Sequence, residues 1–309
     1  MFVCRDAAAL PPALRGGAVA IGNFDGLHPG HRAVIDAARM AAANDRAPLG
    51  VLTFEPHPRR LFRPDAAPFR LTPPREKLAL LRDAGVAFVV VQRFNRVFSG
   101  LSADAFVGGL LRDGLGVRHV AVGNDFCYGQ GRAGNAATLK SAGAAAGFGV
   151  HIVSPAVGSD GTPFASTRVR EALASGDVER ATLLLGRPFA ISGRVRRGDQ
   201  RGRTIGFPTA NIALGPYFRP RFGVYAVRCR IGAQNFGGVA NLGERPTVGG
   251  TEARLEVYLF GCDQNLYGQR LESDLISFLR PEQKFAGLEA LQAQIARDAV
   301  SARTVLGGA

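Results

Sequence analysis

The hydrophobic pattern changes character at Gly186-Arg187-Pro188, and that change constrains the fold more than any other feature of the 309 residues. Before it, short apolar runs at Ala18–Gly22, Leu49–Phe54, Ala87–Val91, His119–Val122 and Val150–Val153 have strand length and partial β-branching. They read as buried parallel strands. Between them, His31–Ala43, Arg75–Ala84, Ala103–Asp113 and Ala136–Ala146 carry helical patterns, the third with Ser102 as its expected N-cap. Strand and helix in alternation predict a doubly wound α/β domain, with ligands beyond the C-terminal strand ends. Two more helical pieces, Val169–Ala174 and Val178–Leu185, close that region. After the break, Arg221–Ile231, Phe236–Asn241, Arg254–Phe260 and Leu271–Phe278 read as strands between Gly-rich turns, and Leu288–Val305 reads as a helix. A small β-barrel or sandwich with one C-terminal helix is expected there. The expected domains are therefore 1–186 and 187–309, which suits the length of the chain.

Composition narrows the class. Uninterrupted apolar runs such as Phe88-Val89-Val90-Val91 fall far short of the ~18 residues a membrane span needs. Asp6 and Pro11-Pro12 stand where a signal peptide would be apolar. Cys4, Cys127, Cys229 and Cys262 form no CxxC pair, which argues against a metal cluster or a disulfide framework. A cytoplasmic protein without membrane contact is expected, with self-association weak at most. The net charge of +13 is spread over both halves, and suits nucleic acid and small polyphosphates equally. A nucleic-acid reading would lean on Arg194, Arg196, Arg197, Arg201 and Arg203, but stacking aromatics are not interleaved among them. Small-molecule substrates are the stronger expectation.

Gly22 to His31 reads GNFDGLHPGH, following the first strand and opening the first helix. His28 and His31 lie three apart at a helix start and share a face. With the unsatisfied amides of that helix end, two imidazoles suit phosphate oxygens, above all those gaining charge as a leaving group departs. A helix cap and a solvated surface residue are the bland alternative for the pair. The HxGH element resembles that of the nucleotidyltransferase superfamily. With Thr53–Pro58 (TFEPHP), Gly123–Gly129 (GNDFCYG) and Ala165–Arg170 (ASTRVR), it resembles the adenylyltransferase module of bacterial bifunctional riboflavin kinase/FAD synthetases. That resemblance implies a Rossmann-like sheet and transfer of an adenylyl group from ATP to FMN. His28 and His31 would stabilise departing pyrophosphate. Gly22, Phe24, Asp25, Gly30, Asp125, Ser166, Thr167 and Arg168 would line ATP and its phosphates. Asp125 is also a candidate for a ribose or magnesium contact, and His57 is left unassigned.

Gly198 to Asn211 reads GDQRGRTIGFPTAN, which is no Walker loop because no Gly-Lys-Ser/Thr follows. If the end of this stretch is extended, Thr209 and Asn211 point the same way, and their oxygens are hard donors suited to magnesium. A β-turn with a buried Thr is the alternative from spacing alone. GRTIGFPTAN resembles the signature of the riboflavin kinase module, and Gly223–Val227, Asn241–Thr247, Leu255–Val257, Leu266–Gly268 and Lys284-Phe285 agree. The resemblance, over roughly residues 15 to 305, implies a six-stranded β-barrel with a terminal helix. It also implies phosphorylation of riboflavin by ATP, Mg2+ at Thr209 and Asn211, and Glu256 as catalytic base; from the residues themselves, Arg201, Arg203 and the glycines of the loop, Gly198 and Gly206 among them, are suited to wrapping phosphates. Independently, a ribityl hydroxyl is a poor nucleophile and needs a proton acceptor. Glu256 lies between apolar Leu255 and Val257 on an expected strand, so it faces opposite to both; a surface salt-bridge Glu is the alternative. Ala165, Tyr258 and Gly261 depart from the family pattern, where Ser, His and Asp are common.

Overall fold

The computed structural model describes residues 1–198, 206–247 and 250–307. They fall into two compact units, Met1–Ala67 with Thr72–Ala165, and Pro68–Leu71 with Ser166–Ala309.

In the first unit the strands are β1 (Phe2–Cys4), β2 (Ala18–Ile21), β3 (Leu49–Glu55), β4 (Phe88–Arg93) and β5 (His119–Gly123). A two-residue hairpin follows, of β6 (Cys127–Tyr128) and β7 (Gly134–Asn135), and then β8 (Gly149–Val153). The main sheet is parallel, in the order β1-β4-β3-β2-β5-β8. β2 is fully buried, as an unbroken apolar run requires. Helices α1 (Pro29–Asn44), α2 (Pro58–Phe62), α3 (Pro74–Asp83), α4 (Arg96–Ser99) and α5 (Ala136–Ala146) connect the strands. α1 buries Val34, Ile35, Ala38, Ala41 and Ala42, one face at helical spacing. Ser102 Oγ does accept from Ala105 N at 3.1 Å, but the helix behind it winds as a π-helix over Ala105–Leu115. Apolar spacing does not distinguish 3.6 residues per turn from a wider winding. The strand order reverses between β2 and β5. In a sheet of this kind that switch point is where loops part and ligands enter.

The second unit begins with α6 (Ser166–Ser175) and α7 (Val178–Leu185). Its strands are β9 (Phe189–Arg194), β10 (Ala210–Ala213), β11 (Gly223–Ile231), β12 (Gln234–Thr247), β13 (Gly250–Leu259) and β14 (Arg270–Arg280). They pair antiparallel in the order β10-β13-β12-β11-β14-β9. Arg196 N donates to Asn211 O at 2.9 Å and draws the two ends of the sheet together, so the unit is a nearly closed barrel rather than a sandwich. The helix α8 (Leu288–Val305) packs Ala299 and Ala302 against Val224, Ala226, Val239 and Phe260. Asp298 fixes it by a bidentate pair with Arg280 at 2.8 and 2.7 Å. The segment Pro68–Leu71 joins this unit through Arg70 N to Pro216 O (3.2 Å) and Phe218 N to Arg70 O (2.7 Å).

A cleft of about 350 Å3 lies where Arg228 pairs with Asp274 and Arg230 with Glu272 across β11 and β14. Burial, and then Glu272, push the Asp274 carboxyl up from its ordinary 3.8 to about 6, against the pull of Arg230, Arg187 and Arg228. The folded carboxyl thus holds its proton more tightly than the unfolded one, and stability is lost as pH rises from about 4 to about 6. Asp274→Asn carries no such loss. Urea denaturation should show little change near pH 4 and a gain of about 1–2 kcal/mol at pH 8, discounted because the carboxyl still partly faces water.

Candidate active sites

The loop from β2 into α1 stands at the switch point and is held in an unusual shape. Phe24 and Leu27 are fully buried with φ of 50° and 44°. Left-handed backbone at bulky residues costs about 1–3 kcal/mol each and persists only where surrounding contacts impose it. Those contacts are present. Asp25, 2% exposed, accepts from Thr72 N at 3.0 Å, and Gly26 N donates to Thr72 Oγ1 at 2.9 Å. Thus the Asp25 carboxylate braces the loop from inside.

His28 caps α1. Its Nδ1 accepts from His31 N at 3.3 Å, which leaves the ring proton on Nε2 in this geometry. The two imidazoles stack at 3.7 Å between centroids, with Phe24 edge-on to His31 at 5.4 Å. Gly30 makes the stack feasible: a Cβ there would lie 3.1 Å from the His28 ring and 3.3 Å from Phe164 O. Gly22 gives Phe24 similar room. Across the switch point, Asp125 is exposed in the loop after β5. An aromatic series runs along this edge, with Phe54–Phe94 and Phe62–Phe94 centroids at 6.0 Å and Phe94–Phe98 at 5.6 Å. Phe62 is 67% exposed.

Beneath the loop sits Lys77 of α3, 1% exposed. Its Nζ donates to Asn23 O (3.2 Å), Thr53 Oγ1 (3.1 Å) and Glu55 Oε1 (2.8 Å). One buried ammonium therefore ties the loop to β3 and α3. Lys77→Met takes the ammonium away from the largely buried Glu55 carboxylate and should cost about 3 kcal/mol, whereas Lys77→Met with Glu55→Leu should recover much of it. Chemical denaturation followed on the first unit measures both.

In the barrel, Asn211 on β10 pairs with Glu256 on β13, which pairs with Asn241 on β12. Directly opposed residues share a face, so the three polar side chains form one row. Leu255 and Val257 are fully buried and Glu256 turns the other way, as alternation expects. Asn211, 7% exposed, donates from Nδ2 to Thr209 O at 3.3 Å. Gly198 covers its amide so closely that a Cβ would lie 2.6 Å from both terminal atoms. Thr209 and Asn211 line one cleft of about 300 Å3 with Val195, Leu259 and Tyr267. Both Glu256 oxygens are taken by Arg245, from Nε at 3.0 Å and Nη2 at 3.2 Å.

A family model for FAD synthetase matches residues 10–168, and one for riboflavin kinase matches residues 185–306. The chain is 46% identical over 288 residues to the bifunctional riboflavin kinase/FMN adenylyltransferase of Escherichia coli K12, covering 93% of this chain and 92% of that one. It is 44% identical to the Pseudomonas fluorescens protein of that name, over 99% and 98% of the two chains. The chain belongs to the bifunctional riboflavin kinase/FMN adenylyltransferase family. A crystal structure described as a macrolide-efflux protein from Streptococcus pneumoniae also aligns, at TM-score 0.84 and 31% identity over 96% of each chain. No helix among the described residues is long and apolar enough to cross a membrane.

The remaining expected site residues are dispersed. Ser166, Thr167 and Arg168 open α6, in the second unit by packing although the FAD synthetase model extends to residue 168. Gly206 is left-handed, with φ of 81°. Arg203, like Arg201, lies outside the described residues. Within the Arg cluster, Arg194 donates to Gly268 O, Arg196 pairs with Glu252 at 3.6 Å, and Arg197 stands over the Tyr267 ring. For a member of this family, three site features escaped the sequence reading: Lys77, the Phe62–Phe94 faces, and Arg245 on Glu256. The extreme scarcity of lysine was the one available signal for Lys77.

Proposed function

We propose that the chain makes FAD from riboflavin in two ATP-dependent steps, with phosphorylation in residues 187–309 and adenylylation in residues 1–186. The observation that carries this reading is that the stacked His28–His31 pair lies in the first unit and the Asn211–Glu256–Asn241 row in the barrel of the second. At the switch point, the FMN phosphate attacks the α-phosphorus of ATP. It is already anionic, so alignment and charge stabilisation matter more than a base. Ring N–H groups of His28 and His31, with the α1 amides, take up charge on departing pyrophosphate. Phe62 and Phe94 offer faces for the planar flavin. Asp125, Ser166, Thr167 and Arg168 are assigned to ATP.

In the barrel, Glu256 accepts the ribityl hydroxyl proton as that oxygen attacks the γ-phosphorus and ADP leaves. Gly198, Arg203 and Gly206 are assigned to phosphates. Thr209 and Asn211 fit Mg2+: hydroxyl and amide oxygens are hard donors, and Gly198 leaves unfilled the space beside the Asn211 amide that a Cβ would take. Bound there, the ion would draw charge from phosphate oxygens. We place the protein in the cytoplasm, where its four free cysteines stay reduced.

Incubation with riboflavin, ATP and Mg2+, followed by chromatography, should show FMN appearing before FAD, and neither when EDTA replaces Mg2+. FMN without FAD, from protein folded throughout, would leave only the kinase half of the reading standing.

A further inference from the structure

Arg245 occupies the carboxylate that the proposed kinase step needs. With both Glu256 oxygens accepting guanidinium N–H groups, neither is turned to an incoming alcohol. A second carboxylate flanks the same guanidinium, with Arg245 Nη1 3.8 Å from Glu282 Oε1. The place Glu282 takes is shaped for it. Asn241 Nδ2 donates to Oε1 at 3.3 Å, and the carboxyl lies over Gly243, where any Cβ would collide with it. Two residues earlier, Arg280 is locked to Asp298 of α8, with Gln294 Nε2 on the same carboxylate at 2.8 Å. The segment carrying Glu282 is therefore anchored from the C-terminal helix. Side-chain exposure is 34% for Arg245, 25% for Glu256 and 38% for Glu282. The guanidinium can thus pass from one carboxylate to the other without stranding a charge in a dry interior.

We propose that Arg245 gates the kinase site: it holds Glu256 while the site is idle and passes to Glu282 when Glu256 takes the ribityl proton. The inference rests on Glu256 being the base. Glu282 acts through Arg245 and is a positioning residue. No covalent bond changes in the exchange; one charge-assisted pair replaces another.

The test is steady-state kinase turnover of the full chain. Glu282→Gln keeps the shape and the Asn241 contact but removes the charge that draws Arg245 away. Turnover should fall about fivefold, the upper weight of one partly exposed ion pair, with KM for riboflavin and ATP within about twofold. Adding Arg245→Gln to that variant should restore turnover to within about threefold of the parent, because nothing then holds Glu256. A merely structural Glu282 gives a double variant at least as slow as the single. Glu282→Asp keeps the charge and should keep at least half the rate, and it serves should the Gln variant melt early by circular dichroism. Unchanged turnover in Glu282→Gln, an Asp variant as slow as Gln, or a double variant no faster than the single overturns the gate. Glu256→Gln in the same assay separates the two ideas. If it is inactive while any of those results holds, the gate falls and the base stands; if it is fully active, the base falls and the gate with it.

Discussion

Replacing His28 and His31 together by Ala stops FAD formation while FMN accumulates from riboflavin. The two rings stack at 3.7 Å at the start of α1, where the sheet order reverses and helix amides converge. Removing one preorganised donor of developing charge costs about 10²–10³ in rate, so losing both should take adenylylation below detection. Chromatography of a riboflavin and ATP reaction reads both products at once. Stability has to be separated from chemistry, because His28 also caps α1, and losing a cap costs about 0.5–2 kcal/mol. His28→Asn retains a capping side chain and removes the imidazole, so its melting should stay near the parent while its FAD output falls. Normal FAD synthesis in the double variant would return both residues to the role of cap and neighbour.

The histidine pair was legible because its information is local. A strand, a glycine turn and two His at helical spacing all lie within Ala18–His31, and short-range geometry places them. The barrel row was half legible. Alternation along Leu255-Glu256-Val257 turns Glu256 away from the core, but only the strand order sets Asn211 on one side of it and Asn241 on the other. What supports these groups arrives from far along the chain. Lys77 meets partners 22, 24 and 54 residues away, and Asp25 meets Thr72 47 residues away. No periodicity encodes such contacts. The same holds for Pro68–Leu71, four residues inside the first half that pair with the second unit at Pro216 and Phe218. Phe2–Cys4 was missed for a simpler reason: it spans three residues, too few for alternation to register.

Glu256→Gln carries the other large effect. Gln preserves size and a hydrogen-bonding oxygen but accepts no proton at neutral pH, and loss of a positioned general base costs about 10²–10⁴ in rate. Kinase turnover should collapse by that factor, with KM for riboflavin and ATP little changed, because Glu256 does its work as the hydroxyl ionises. Folding should respond far less. The pair with Arg245 is partly exposed, and Glu282 stands ready to take the guanidinium, so stability should fall by about 1 kcal/mol or less. A large rate loss beside a small stability loss distinguishes a base from a structural carboxylate, which would show the reverse. FMN supplied directly should still become FAD at the parent rate, since the acceptor in that step needs no deprotonation and the His28–His31 site lies in the other unit. Near-normal kinase turnover in Glu256→Gln would make the Arg245 pair its whole purpose, and the ribityl proton would then have to leave without this carboxylate.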